Sequence, residues 1–131
     1  MQINFSKQWD KLTDERLAMT LKHCQRLTSI RWIDKYEYYL DNLEQDFDVC
    51  INGKPIAKAM LTGVYARPLN KIQLHEIQKD THETMTKEEF YKLMEAFYGD
   101  KPDWKGTDSM VIMLYFKVTK YPLDQKRICD F

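Results

Sequence analysis

The sequence contains few of the residues that interrupt regular structure, with four glycines and four prolines among 131 residues. Long flexible linkers are therefore excluded, and we expect short loops. The three cysteines are too few and too irregularly spaced for a disulfide framework. The longest apolar run, residues 110–116, is too short to span a bilayer, so we expect no membrane contact. Because the N-terminus shows no signal-peptide pattern, we expect a reducing, cytoplasmic location.

The sequence also lacks a net charge, because 20 basic residues balance 20 acidic ones. This balance excludes a wholly basic protein that coats nucleic acid. Locally, however, the charges separate, since residues 36–50 contain acids and no base and residues 51–71 contain bases and no acid. One interpretation is a basic surface that attracts a polyanion. The alternative is that alternating charged segments simply keep a small domain soluble.

Apolar residues make up 44% of the sequence, and this content is sufficient for one hydrophobic core. Alternating or continuous apolar runs predict strands at residues 2–5, 27–32, 46–51, 56–65 and 110–118. Helical spacing of apolar residues predicts helices at residues 6–24, 71–79 and 87–98. We therefore expect an α+β fold in which a hairpin-rich sheet curls into a small β-barrel with flanking helices. The domain is expected over residues 1–118, followed by an extension over residues 119–131 whose structure is not predicted.

Two local signals are especially specific. Asn52 and Gly53 separate two alternating runs, and this dipeptide predicts a tight hairpin turn. Thr86 precedes the last predicted helix and Glu89 follows three residues later, a pattern that predicts a capping box. Gly99 is expected to end that helix as its C′ residue.

The common sequence signatures of enzymes are absent. The chain has no phosphate-binding GxxxxGK[ST] loop, no GxGxxG motif, no CxxC pair and no GxSxG motif. Its three histidines do not have the spacing of metal ligands. We therefore expect no metal site and no cofactor, and any catalysis must use residues that are dispersed along the chain.

One segment resembles a known family. Residues 24–31, C-Q-R-L-T-S-I-R, resemble the signature G-x-K-x-x-[E/T]-x-R of the ASCH domain family. Residues 3–12 are similar to the N-terminus of archaeal and viral ASCH-like proteins. Residues 83–89, E-T-M-T-K-E-E, resemble the helix entry of bacterial ASCH amidohydrolases that deacetylate acetylcytidine. Three further residues before the last strand recur in such proteins, namely Asp103, Trp104 and Asp108.

The resemblance implies a PUA-like β-barrel and a set of site residues. The motif Lys, the motif Thr and the Glu before M-T of the amidohydrolases correspond to Arg26, Ser29 and Glu83. A Ser hydroxyl retains the chemistry of a nucleophile. A guanidinium, however, has no acceptor and keeps its proton, so Arg26 does not act as the base for Ser29. Arg26 is suited instead to clamp a phosphate or an oxyanion.

These departures favour binding over hydrolysis. We predict an RNA- or nucleotide-binding ASCH-type domain that holds its ligand in a cleft between the 27–32 strand and the loop around Glu83. The predicted nucleic-acid-binding residues are Lys22, Arg26, Arg31, Trp32, Lys54 and Lys58. The first alternative is an amidohydrolase that deacylates a modified cytidine, with Arg26, Ser29 and Glu83 as catalytic candidates. The second is a protein-interaction module, for which a viral source is one possibility, that binds a protein partner through residues 119–131 and the acidic segment 36–50.

Overall fold

The computed structural model describes residues 1–5, 26–81 and 85–120 of the chain. The predicted helix at residues 6–24 lies outside the described residues, and so do the candidates Lys22 and Glu83. Most of the predicted extension, residues 121–131, also lies outside them. No helix within the described ranges is both long enough and apolar enough to cross a membrane.

In the described ranges, five strands form one mixed sheet. They are β1 (Gln2–Phe5), β2 (Arg26–Trp32), β3 (Asp46–Ile51), β4 (Lys54–Pro68) and β5 (Met110–Lys120). Their order across the sheet is β1-β3-β4-β5-β2, with β1 parallel to β3 and the other pairs antiparallel. The apolar strand β5 lies between two neighbours and is buried on both faces, as its continuous apolar run predicts.

The hairpin between β3 and β4 forms at the predicted dipeptide. Asn52 and Gly53 have φ angles of 49° and 83°, which is the left-handed conformation that this turn requires. Strand β4 is longer than predicted, because it begins at Lys54 and continues to Pro68. Its pairing with β5 shifts between Leu61 and Gly63, and such a bulge bends a strand.

The sheet curls into a half-barrel around an apolar cluster on its inner face. The cluster contains residues of both edge strands, Ile3 of β1 and Leu27 of β2, which a flat sheet would hold far apart. Aromatic rings fill the centre of the cluster, where Phe47 and Phe116 make an edge contact with centroids 5.4 Å apart. The α+β class and the curled sheet predicted from the sequence are thus confirmed.

Within the described residues, three α-helices accompany the sheet. They are α1 (Tyr36–Asp41), α2 (Leu74–Thr81) and α3 (Lys87–Tyr98). Single 3-10 turns precede α1 and α2, at Ile33–Lys35 and Leu69–Lys71. Helices α2 and α3 contribute to a second apolar cluster on the outer face of the sheet, whose members include Ile30, Trp32, Ile77, Phe90, Met94 and Met113.

The predicted capping box of α3 is confirmed. The Thr86 hydroxyl accepts a hydrogen bond from the Glu89 backbone at 3.2 Å, and the Glu89 carboxylate accepts one from the Thr86 backbone. The expectation that Gly99 occupies the C′ position was wrong, because it is the C-cap residue and has a right-handed φ of −63°. A Cβ atom at Gly99 would lie 2.5 Å from the Glu95 carbonyl oxygen, so glycine relieves a close approach there.

Candidate functional site

A small cavity opens between the outer face of the sheet and helix α2. Its volume is about 90 Å³, and both β2 and β5 contribute to its walls. Thr28 and Tyr115 are direct partners across the β2–β5 ladder, and Gly63 is the partner of Tyr115 on the other side. Residues that are paired in register on neighbouring strands lie on the same face of a sheet. Thr28, Tyr115 and Gly63 therefore form one row across the sheet. The lining residues are Thr28, Ser29, Ile30, His75, Glu76, Met113, Leu114 and Tyr115, so the predicted candidate Ser29 is among them.

The Thr28 hydroxyl is buried without a hydrogen bond. The residue is 6% exposed, and within the described part of the chain Oγ1 has no hydrogen-bond partner. Such a group costs about 1–3 kcal/mol of stability when it is withdrawn from water and left unpaired. Native proteins pair nearly all buried polar groups, so this hydroxyl is an exception at the cavity among the described residues.

Glu76 is held in a fixed orientation at the start of α2. Its Oε1 accepts hydrogen bonds from the Gln73 backbone at 2.9 Å and from Arg67 Nη1 at 3.0 Å. The same Nη1 lies 3.1 Å from Oε2, and Tyr115 Oη lies 3.4 Å from Oε2. A carboxylate can accept about four hydrogen bonds, and the two contacts of Oε2 are longer than the two contacts of Oε1. Glu76 therefore presents a preoriented acceptor beside the cavity.

Tyr115 keeps its phenolic proton at neutral pH. Burial raises the pKa of this phenol above its ordinary value of 10.0, and the negative charge of Glu76 raises it further. The nearby Arg67 guanidinium lowers the pKa of Tyr115, but its effect is smaller than those of burial and of Glu76. Tyr115 is thus a hydrogen-bond donor on the wall of the cavity, directly opposite the Thr28 hydroxyl in the strand register.

The raised pKa of Tyr115 makes an alkaline stability test possible. The folded protein retains this proton to higher pH than the unfolded chain, so its contribution is complete below about pH 10 and is lost as pH rises through the folded pKa. We expect Tyr115→Phe to lose less of its unfolding free energy than the wild type between about pH 9 and pH 11. Urea unfolding across this range measures the difference. Tyr91→Phe removes a phenol from helix α3 and is the control, because Tyr91 is not among the groups that shift the pKa of Tyr115. Identical pH slopes for all three proteins would contradict the assignment.

Basic residues lie one step along the strands from the cavity. The register pairs Arg26 of β2 with Lys117 of β5, two residues from Thr28 and Tyr115 and therefore about 6.6 Å further along the sheet. The next strand contributes Lys58, which is paired in register with Lys120. Lys58 also lies 3.9 Å from the Asp48 carboxylate, which offsets part of its charge. The predicted candidate Lys54 begins β4 beside the hairpin turn and is exposed.

Two predicted site residues, Ser29 and Arg31, meet on the inner side of β2. Arg31 Nε donates to Ser29 Oγ at 2.5 Å, and Arg31 Nη2 donates to the backbone carbonyl of Asn4 at 2.7 Å. Ser29 is 2% exposed. Its hydroxyl therefore accepts a hydrogen bond from a cation that has no capacity to remove its proton. Arg31 links the two edge strands of the sheet, since Asn4 belongs to β1.

Trp32 and Arg26 complete the predicted set. Trp32 is buried on the outer face, where its ring stacks on Tyr98 at a centroid distance of 5.2 Å. For Arg26, the structure describes the backbone at the beginning of β2 but not the position of the side chain. Within the described ranges, no three His, Cys, Asp or Glu side chains converge in a way that suits a metal ion.

Sequence analysis missed most residues of the cavity wall. Glu76 belongs to a segment whose acids resemble those of any solvated helix, although its position three residues after Gln73 is a capping signal. Tyr115 carries the only polar side-chain atom of the apolar run at residues 110–116, and a hydroxyl there was a usable signal. Thr28 and Lys117 offered no signal of their own, because their relevance depends on strand register.

Comparisons with known proteins support the fold. No family model matches the chain, and no curated protein matches it. A solved protein of Enterococcus faecalis V583, described by the family model DUF984, is 16% identical with a TM-score of 0.61; the match covers 86% of this chain and 75% of that one. An ASCH domain from Lactobacillus crispatus JV V101 is 15% identical with a TM-score of 0.60, over 82% of this chain and 75% of that one. The five-stranded half-barrel and its helices therefore have the PUA-like fold of the ASCH domain, as the resemblance of residues 24–31 implies.

Proposed function

We propose that this protein binds RNA or a nucleotide and that a base enters the cavity between β2 and α2. The observation that carries the proposal is the Thr28 hydroxyl, which is buried at the cavity and has no partner among the described residues. The cavity shares the 27–32 strand with the predicted cleft, because Thr28 and Ile30 of β2 line it. The other predicted boundary, the loop around Glu83, lies outside the described residues.

The size of the cavity favours the base end of a nucleotide. At about 90 Å³ it is far smaller than the 300 Å³ or more of sites that enclose a drug-sized ligand. A flat group fits with its edge inside and the rest of the ligand outside. The edge of a nucleobase carries both donors and acceptors, which suit the Glu76 carboxylate and the Thr28 and Tyr115 hydroxyls.

Electrostatics favour the same orientation. A phosphate inside the cavity would approach the Glu76 carboxylate, and two negative charges repel strongly in a partly buried site. Lys117 lies about 6.6 Å along the sheet from the cavity row, and Arg26 is its register partner. We infer that the phosphate of a bound nucleotide, or the backbone of RNA, contacts this basic pair.

The amidohydrolase alternative has less support. Ser29 is the proposed nucleophile, but its hydroxyl accepts a hydrogen bond from Arg31 and is almost inaccessible to solvent. Activation of a hydroxyl requires a neighbouring group that accepts its proton, and the Arg31 guanidinium, which contacts Ser29 in the described part of the chain, lacks this capacity. The candidate bases Glu83 and Lys22 lie outside the described residues. Incubation with acetylcytidine, comparing the wild type with Ser29→Ala, tests this alternative directly. Turnover that disappears in Ser29→Ala would revive it.

Binding is tested with a labelled single-stranded RNA of mixed sequence and with the four nucleoside monophosphates. We expect the logarithm of the RNA binding constant to fall linearly with the logarithm of the salt concentration, because bound cations are released from the phosphates. Lys117→Ala is expected to reduce the magnitude of that slope by about 0.7–1, corresponding to one phosphate contact. Fluorescence anisotropy at several salt concentrations measures the slope.

The charge-matched control is Lys92→Ala, which removes an exposed cation from helix α3 and leaves the sheet unchanged. It is expected to retain the wild-type slope. Lys54→Ala and Lys58→Ala, made separately, test whether the RNA backbone continues onto the hairpin, in which case each also flattens the slope. A wild type that binds neither the RNA nor any of the monophosphates would contradict the proposed function.

A further inference from the structure

We propose that the exposed ring of Tyr65 is the stacking surface for the base at the mouth of the cavity. This inference rests on the proposed function, to which it adds a specific contact. Tyr65 is 54% exposed, the largest value among the exposed large apolar side chains of the described ranges. An aromatic ring that remains half in water and lies beside a binding cavity presents a free surface to a planar ligand.

Strand register brings Tyr65 to the edge of the cavity. Its partner across the β4–β5 ladder is Met113, which forms part of the cavity wall. Its ring also contacts Tyr115, a second wall residue, edge to face with centroids 5.7 Å apart and planes at 73°. Two neighbours of Tyr65 thus belong to the wall itself. The Tyr65 ring is therefore held next to the opening by contacts that do not occupy all of its surface.

Gly63 determines how the Tyr65 ring lies. A Cβ atom at position 63 would be 2.9 Å from Cε2 of Tyr65 and 3.5 Å from its Oη. The ring therefore leans back along β4 over the glycine, toward the row that contains Tyr115 and Thr28. Any larger residue at position 63 would force the ring away from this orientation. The glycine and the edge contact together preorient the ring, which reduces the entropy that a stacking residue loses on binding.

The charges around Tyr65 suit a nucleotide. The next residue of β4 on the same face is Arg67, whose guanidinium lies against the Glu76 carboxylate. In the proposed function, the Glu76 carboxylate accepts hydrogen bonds from the edge of the base. Arg67 connects Glu76 to the face of β4 on which the Tyr65 ring lies. A base that inserts its edge beside Glu76 can cover the Tyr65 ring with its face, and stacking of this kind tolerates different bases.

A structural interpretation of Tyr65 must be separated from this proposal. An aromatic residue beside a glycine in a sheet also shields the glycine backbone from water, and this role requires no ligand. That role predicts a change in stability and no dependence of affinity on the base. The stacking proposal predicts instead that substitution of Tyr65 lowers the affinity only for ligands that carry a base.

The test compares the affinities of AMP, CMP, GMP, UMP and base-free ribose 5-phosphate for a set of variants, by calorimetry. We expect Tyr65→Leu to weaken the binding of nucleoside monophosphates about tenfold and to leave ribose 5-phosphate unchanged. Tyr65→Phe retains a ring and is expected to bind like the wild type. The matched control is Tyr38→Leu on helix α1, which removes a 43% exposed tyrosine that also makes an edge contact, with Tyr39, and is expected to have no effect.

Gly63→Ala provides a second variant that keeps the tyrosine and displaces its ring, and its added Cβ would also lie 3.3 Å from Cδ2 of Tyr115. It is expected to weaken the binding of monophosphates in the same direction, so the proposal stays testable if Tyr65→Leu does not fold. Wild-type affinity in both Tyr65→Leu and Gly63→Ala would overturn the stacking role and leave the proposed function intact. Equal losses for monophosphates and ribose 5-phosphate would also overturn it. A wild type that binds no monophosphate would overturn the stacking role together with nucleotide binding.

Discussion

Replacement of Arg31 by methionine is expected to lower the free energy of unfolding by about 1.5–3 kcal/mol. Arg31 donates to the Asn4 carbonyl of β1 and to the Ser29 hydroxyl of its own strand β2. These strands are the two edges of the sheet, and each pairs along its length with another strand, β1 with β3 and β2 with β5. A hydrogen bond to a charged group contributes about 1.5–3 kcal/mol, and methionine replaces neither bond.

Chemical unfolding of Arg31→Met, Ser29→Ala and the double variant measures this effect. Because Ser29 and Arg31 contact each other, the two single losses are expected to sum to more than the loss in the double variant, by about 1 kcal/mol. Arg31→Lys is expected to recover only part of the stability, because an ammonium does not reproduce the fork that reaches both acceptors. A loss below about 1 kcal/mol in Arg31→Met would contradict a role in joining the edge strands.

Thr28→Val is expected to stabilise the protein and to impair binding. Valine has nearly the same shape as threonine, but it removes a buried hydroxyl that has no partner in the described part of the chain. Relief of that desolvation cost is expected to raise the free energy of unfolding by about 1–2 kcal/mol. The same substitution removes a donor and acceptor from the cavity, so nucleotide affinity is expected to fall about tenfold, which corresponds to about 1.4 kcal/mol.

Thr62→Val is the control for this pair of opposite effects. The Thr62 hydroxyl is exposed and donates to the Tyr115 backbone carbonyl at 3.1 Å. Its loss is expected to cost a few tenths of a kcal/mol and to leave nucleotide affinity unchanged. Denaturant unfolding and calorimetric titration of both variants separate the two properties. A destabilised Thr28→Val with wild-type affinity would indicate that the hydroxyl serves the fold.

Local signals predicted much of the architecture. The turn at Asn52 and Gly53, the capping box of α3 and the central position of β5 are each specified by a few neighbouring residues. Helix α1 was missed because it is a single short segment with no side-chain cap at Lys35. Its stability depends on tertiary packing instead, since the Tyr39 ring stacks on Phe47 at 5.9 Å. A local pattern does not contain that contact.

The candidate site was less predictable, for a physical reason. Strand alternation correctly indicated that Ser29 and Arg31 share a face, but Arg31 reaches Asn4 only because the sheet curls until its two edges approach. The wall of the cavity likewise combines Thr28, Glu76 and Tyr115 from three separate elements. Their meeting depends on the register of β5 and the position of α2, which are properties of the whole sheet.

The central position of β5 also affects the order in which the chain folds during synthesis. Strand β5 is the last strand of the described sequence, yet it lies between β4 and β2. Until the ribosome has released residues 110–120, β2 lacks its only ladder partner in the described sheet and one side of β4 is open. A nascent chain that stalls before β5 therefore leaves both edges of β2 and one edge of β4 unpaired, and such edges favour intermolecular pairing.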